Sequence, residues 1–309
     1  MKNRMIRSLK RYGIGYSAFT VVNYILLTFV ALIMLIPYLH VMAKAFNESS
    51  DTMMGGLLCW PRKFTLSNFL IIFEDTSIYS SVIVSLLRIV IGLVLGILIQ
   101  FMVAYGLSRP NLPFKKAITL YFIIPMYIGG GLIPTYILYS KMNLLNNFWV
   151  YILPSLFVMY HVILIRSYIY SGIPNSVIES AFIDGASEMT CFMKIALPLC
   201  KPILATVSLW IVVNHWNDWT STLYFIRSSK LHTLMYKLMQ LLKESERLEQ
   251  MLREAAKAGA VADVMKNSTP TQDSVVSAQV VITTLPIIMV YPFLQKYFIN
   301  GVTIGAVKE

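Results

Sequence analysis

The chain has 309 residues, of which 57% are apolar and only 13% charged, and its mean hydropathy is +0.65. A soluble domain is close to half apolar and a quarter charged, so this composition excludes an ordinary soluble globule and leaves room for about six or seven membrane crossings. The net charge of +11 is not a nucleic-acid footprint, because Lys and Arg fall at the ends of apolar runs, as membrane topology requires.

The N-terminus is basic, with Lys2, Arg4, Arg7, Lys10 and Arg11, and a run without formal charge follows from Tyr12 to Ala43. A signal-peptide core is about 7–15 residues, and this run is about twice that, so residues 18–44 read as a first transmembrane helix behind a cytoplasmic segment 1–17. Residues 45–77, with Gly55-Gly56 and Trp60-Pro61, read as an irregular outer loop. Further apolar runs cover 78–107, 117–139, 148–170, 203–226 and 277–298. Each has the roughly 20 residues a helix needs to cross hydrocarbon. The expected fold is therefore an all-α integral membrane protein of six transmembrane helices, with a core over 78–298. Pro37, Pro125, Pro134, Pro154, Pro286 and Pro292 should kink these helices.

Raw Lys and Arg numbers are nearly equal on the two sides, so the short loops decide orientation. Arg109, Lys115 and Lys116 in one short loop against Lys141 in the next favour a cytoplasmic N-terminus. The tail 299–309 is then also cytoplasmic. The long segment 227–276 falls outside; Leu238, Leu241, Leu242, Leu248, Met251 and Leu252 form an apolar stripe between charged residues, an amphipathic helix that either meets an outer partner or packs on the spans. The cysteines Cys59, Cys191 and Cys200 have neither metal-ligand nor disulfide-framework spacing, so no metal site is expected, and they read as small apolar residues.

Residues 174–198 interrupt two apolar runs on the cytoplasmic side. Pro174 suits a helix start and Glu179 lies in the first turns, where acid suits the positive helix end. Gly185 permits a sharp turn. A second short helix, about 188–195, should end before Pro198. Two short helices around a glycine at the membrane face can seat in a groove of a soluble subunit or lie on lipid headgroups. The stretch resembles the signature loop of binding-protein-dependent ABC importer permeases, EAA, three residues, G, nine residues, I-x-LP. Glu179, Ala181, Gly185, Ile195, Leu197 and Pro198 match in residue and spacing, with Ser180 in place of the first alanine and Asp184 beside the glycine. The ending from Tyr291 to Lys308 is similar to that of the second permease subunit of maltose-type sugar importers, and Asn214-His215-Trp216-Asn217-Asp218-Trp219 resembles a run in the subset assigned to complex oligosaccharides.

The resemblance implies a type I ABC importer permease fold with cytoplasmic coupling helices, in the cytoplasmic membrane of a bacterium. It implies a second, different permease subunit, two ATPase subunits carrying Mg-ATP, and an extracellular or periplasmic solute-binding protein. Membrane lipid is a further expected partner; nucleic acid is not. The chain itself has no G-x-x-x-x-G-K-[ST], since Gly129-Gly130-Gly131 lacks the following Lys. No catalytic residue and no cofactor of its own is expected.

Candidates on the transport path are Asn214, His215, Trp216, Asn217, Asp218 and Trp219, whose rings, amides and carboxylate suit sugars but equally suit interfacial anchoring and helix–helix contacts. Arg88 stands well inside a span and must face protein or water, meeting either a substrate or a structural partner. His161 and Gln100 pose the same question. Alternatives to a sugar permease are an ABC permease for another solute and an ion-coupled secondary carrier; for the latter Asp218 is the one acidic candidate in a span and no inverted repeat is visible.

Overall fold

The computed structural model describes residues 2–257 and 272–304. Among these residues the chain is helical, with no strand beyond an isolated bridge between Asn47 and Phe64. It divides into two compact units, one of residues 1–74 with 244–282 and one of 75–243 with 283–309.

In the first unit α1 (Lys2–Ala45) is continuous through Pro37, and its membrane-length apolar part is Ala18–Ala45. The segment after it is not irregular as expected. It holds α2 (Ser49–Met53) and α3 (Ser67–Glu74), organised by two fully buried asparagines. The Asn47 amide donates to the Asp51 carboxylate and the Thr52 hydroxyl, both at 2.9 Å, and its carbonyl accepts from the Lys63 N–H at 2.8 Å. Asn68 donates to the carbonyls of Ala45 and Asn47. Arg62 closes the set, donating to the Asp51 carboxylate at 2.8 Å. Buried polar groups that are mutually satisfied fix one conformation, which supplies the order that an apolar pattern would otherwise provide.

The second unit is built on α4 (Thr76–Ser108), capped by Asp75, whose carboxylate accepts from the Ser77 N–H. One face of α4, Ser81, Ser85, Arg88, Gly92, Gly96 and Gln100, is buried. Leu86, Leu87, Val90, Val94 and Leu98 on other faces are exposed. Polar and small residues inside with leucine and valine outside is the arrangement expected where the solvent is lipid, and small residues let helices approach closely. α4 packs against α7 (Met159–Gly172) and α11 (Lys201–Asn217). Phe101, Ala104, Val162, Ile165, Cys191, Ala196, Cys200 and Val207 fill the core between them.

Among the described residues two helices, α1 and α4, are by themselves long and apolar enough to cross a membrane, and up to five crossings result if each bent pair is one span. The third run is not one kinked helix. It is α5 (Lys115–Tyr127) and α6 (Leu132–Lys141), set at 118°. The break lies not at Pro125 or Pro134 but at Gly129–Gly131, with Gly131 at φ +80°; Pro134 sits in the first turn of α6, where its missing N–H costs nothing. The fourth run begins as 3₁₀ turns, Phe148–Tyr151 and Leu153–Ser155, before α7, with a 44° bend. The fifth breaks at Asp218-Trp219 into α11 and α12 (Thr220–Phe225). The amphipathic α13 runs Leu234–Lys257; the rest of the predicted outer segment, 258–271, lies outside the described residues, as do 305–309 of the tail. α14 (Gln272–Ile304) continues through Pro286 and Pro292.

Candidate functional site: a surface element and a buried ion cluster

The element over 174–199 starts at Pro174, which precedes α8 (Asn175–Ile183). Glu179 lies in the second turn of α8. The helix closes in a Schellman arrangement: the Gly185 N–H bonds the Phe182 carbonyl at 3.0 Å and the Ala186 N–H bonds the Ala181 carbonyl at 2.8 Å. This closure needs a left-handed residue just past the helix, and Gly185 has φ +80°. Ser187 then caps the next helix, its hydroxyl accepting from the Thr190 N–H at 3.2 Å. The reversal therefore depends on Gly185 and Ser187 together, and a serine just before an acidic residue is the local capping signal for the second helix.

The second helix does not end before Pro198. It runs as α9 (Glu188–Thr190), a π turn over Cys191–Ala196 and α10 (Leu197–Leu199), ending at Cys200. A proline ring clashes with the carbonyl four residues back in a regular α-helix; the wider π turn placed just before Pro198 relieves that constraint.

Inward, Ile178, Cys191, Phe192 and Ala196 are buried, and Ala181, Ile195 and Leu197 pack against the same core. Glu188 is tied to α4: it accepts from the Tyr105 hydroxyl and from Arg109, both at 3.0 Å. Arg109, read from sequence only as a topology signal, also lies over the Tyr105 and Phe182 rings. Outward, Val177, Ile183, Met189 and Met193 are exposed, Ile183 at 86%. Ser180, Asp184 and Glu179 are exposed beside them, and neither acid has an ion-pair partner among the described residues. The element is thus anchored by one face and presents apolar side chains with free carboxylates on the other.

The second cluster joins α4 to the α11–α12 break. The Arg88 guanidinium, 3% exposed, pairs with the Asp218 carboxylate. It also donates to the Asp218 carbonyl at 2.9 Å and to His215 Nδ1 at 3.2 Å. Since Nδ1 accepts, the ring proton is assigned to Nε2, which lies 3.4 Å from the Ser155 hydroxyl. The Arg88 guanidinium stacks 4.6 Å from the centre of the Tyr151 ring, and the Tyr151 hydroxyl is held by Thr222 and the Leu231 carbonyl. Asp218 uses its other oxygen to accept from the Thr220 hydroxyl and the Ser221 N–H. Every charge here has a partner, the condition for retaining ions in a low-dielectric interior.

Of the residues predicted on the path, Arg88, His215 and Asp218 come together in this cluster. Asn214, Asn217 and Asp218 line one open recess of about 730 Å³ with Trp210 and Thr220. Trp216 does not: it is buried and its indole N–H bonds the Thr283 carbonyl at 3.0 Å. Trp219 carries the Lys243 ammonium at 5.1 Å. Beside the recess, Trp210 is tilted at 30° on Tyr160 and at 31° on His161, and His161 is bonded to Gln100 at 2.8 Å.

A multi-helical chain with membrane-length apolar helices, and with an exposed amphipathic element between α7 and α11 that is anchored to α4, is a membrane-embedded helical protein in class. No protein-family model matches the chain. It is 31% identical over 290 residues to the polygalacturonan/rhamnogalacturonan transport system permease protein YtcP of Bacillus subtilis, covering 94% of this chain and 98% of that one. It is 33% identical to protein LplC of the same organism, over 94% of this chain and 95% of that one. The arabinooligosaccharides transport system permease protein AraQ of Halalkalibacterium halodurans is 29% identical, over 91% and 93%. Among solved structures, a bacterial ABC transporter involved in the import of the acidic polysaccharide alginate has a chain that superposes with a TM-score of 0.81 at 24% identity, over 93% of this chain and 99% of that one, and so shares the fold. The chain belongs to the permease subunits of carbohydrate ABC transporters.

Proposed function

We propose that this permease imports an oligosaccharide by alternating access, with six crossings and both termini in the cytoplasm. Segments 45–77 and 227–276 then face outward. Two ATPase subunits hydrolyse Mg-ATP and act on residues 174–199, a second and different permease completes the pathway, and a solute-binding protein delivers the sugar. The single observation that carries the reading is the exposed face of 177–193, where apolar side chains and unpaired acids project from an element fixed to α4 through Glu188. A rigid element anchored on one side and complementary to a groove on the other transmits displacement rather than absorbing it.

The recess at Trp210, Asn214, Asn217, Asp218 and Thr220 supports a place for sugar on the path. Amides and hydroxyls meet sugar hydroxyls, and the Trp210 and Tyr160 rings meet apolar ring faces. The Arg88 guanidinium behind Asp218 is already matched, so the recess offers hydrogen-bonding groups rather than free positive charge. Relatives are named for arabinooligosaccharides, maltodextrin and melibiose/raffinose/stachyose, which supports an oligosaccharide as the class of solute.

Gly185→Asp and Glu179→Lys should each abolish uptake while the protein still inserts and accumulates. Uptake that survives both changes at normal protein levels would exclude coupling through this element.

A further inference from the structure

Helix α5 begins at Lys115 and α7 ends at Gly172. A recess of about 410 Å³ is lined there by Lys115, Lys116, Thr119, Leu120, Ile123, Arg166 and Tyr170. Lys115 is braced, donating to the Arg109 carbonyl at 2.8 Å and the Tyr170 hydroxyl at 2.6 Å. Arg166 lies 5.5 Å from the centre of the Tyr170 ring and gives one N–H, at 3.4 Å, to the Thr119 hydroxyl. Lys116 is exposed. Among the described residues no carboxylate stands within ion-pair distance of any of the three cations. This is unlike the neighbouring Arg109, which is matched by Glu188.

Three unmatched positive charges at the polar ends of apolar helices repel one another unless an anion joins them. The remaining guanidinium donors form a planar fork of the kind that suits phosphate oxygens. One wall of the recess is apolar, Leu120 and Ile123, and exposed Leu120, Tyr121 and Ile124 extend it along α5. A cationic end joined to an apolar wall running into the membrane matches a molecule with an anionic head and a hydrocarbon tail. We propose that this recess binds the phosphate headgroup of an anionic phospholipid, with an acyl chain laid along α5. A free phosphate shares the headgroup chemistry but would leave the Leu120–Ile123 wall unused.

The test uses the full chain assembled with its transporter partners, with lipid retention read by native mass spectrometry after adding phosphatidylglycerol or phosphatidylcholine. Phosphatidylglycerol should be retained selectively. Retention should fall about five-fold per charge removed, so roughly twenty-five-fold in Lys116→Gln/Arg166→Gln, and should persist in Lys116→Arg/Arg166→Lys. If the neutral double variant fails to accumulate, the exposed Lys116→Gln alone should show the five-fold loss. Equal retention of the two lipids, unchanged retention in the neutral variants, or displacement of phosphatidylglycerol by inorganic phosphate would each overturn the proposal. So would retention by the isolated chain that vanishes on assembly, which would make the recess a protein contact.

Discussion

Gly92 in α4 lies directly beneath the imidazole of His215. A methyl group built at Gly92 would stand 2.3 Å from His215 Nε2, 2.8 Å from Cε1 and 3.0 Å from Cδ2. Ordinary contact begins near 3.4 Å, so the ring must retreat by about 1 Å. That retreat stretches the 3.2 Å bond from Arg88 to Nδ1 past hydrogen-bonding length. Overpacking costs about 1–3 kcal/mol, and a lost hydrogen bond to a charged group about 1.5–3 kcal/mol. Replacing glycine by alanine inside a helix returns about 1 kcal/mol. The net expectation for Gly92→Ala is a loss of roughly 1.5–5 kcal/mol, given those ranges. Gly96→Ala is the control, one turn along the same buried face. Its added methyl meets neighbours only at 3.4 Å or more, so the helix-propensity gain should dominate. Thermal unfolding of the two variants in the assembled transporter, read by intrinsic fluorescence, separates them. A Gly92→Ala protein as stable as Gly96→Ala would refute the packing of His215 on α4. Adding His215→Ala to Gly92→Ala should recover the steric part of the loss.

Two further outcomes follow from the polar clusters. Arg88→Leu and Asp218→Leu should each cost about 3–5 kcal/mol, because each strands a buried charge; the double variant should lose clearly less than the sum, and strict additivity in the cycle would exclude the pairing. In the other unit, the Asp51 carboxyl is held below the ordinary carboxylate range, first by the Asn47 amide and then by Arg62. A depressed folded pKa means stability that is present above the unfolded value, about 4, and is lost as pH falls through the folded value. Acid titration of the thermal midpoint should therefore show a steeper decline for the natural chain than for Asp51→Asn, which should start lower and change less; identical slopes would dismiss the Asp51 contribution.

Much of the 174–199 element is legible in the chain because its determinants are local. Gly185 must take a positive φ and Pro174 precedes the first helix, but which apolar side chains are anchored was not legible: Ile178 is buried while Val177, Phe182 and Ile183 are exposed. The π turn before Pro198 was not legible, since Leu197-Pro198 by itself argues for a stop. The apolar runs are equally local, and window composition finds them. Where they break is less so: prolines predict kinks, yet the 118° turn falls at three glycines.

Sequence alone determined that this is a helical membrane protein with a loop resembling that of ABC importer permeases, because hydropathy and the gapped loop pattern are written in consecutive residues. Only the tertiary structure decided what the intramembrane polar residues do. Arg88 and Asp218 are 130 positions apart, and nothing in either neighbourhood specifies the helix rotation that brings them together. That rotation also turned Trp216 onto α14 and left Asn214 and Asn217 facing the recess. Burial of small residues such as Gly92 sets the distance between helices, and the distance between helices determines which polar groups can meet.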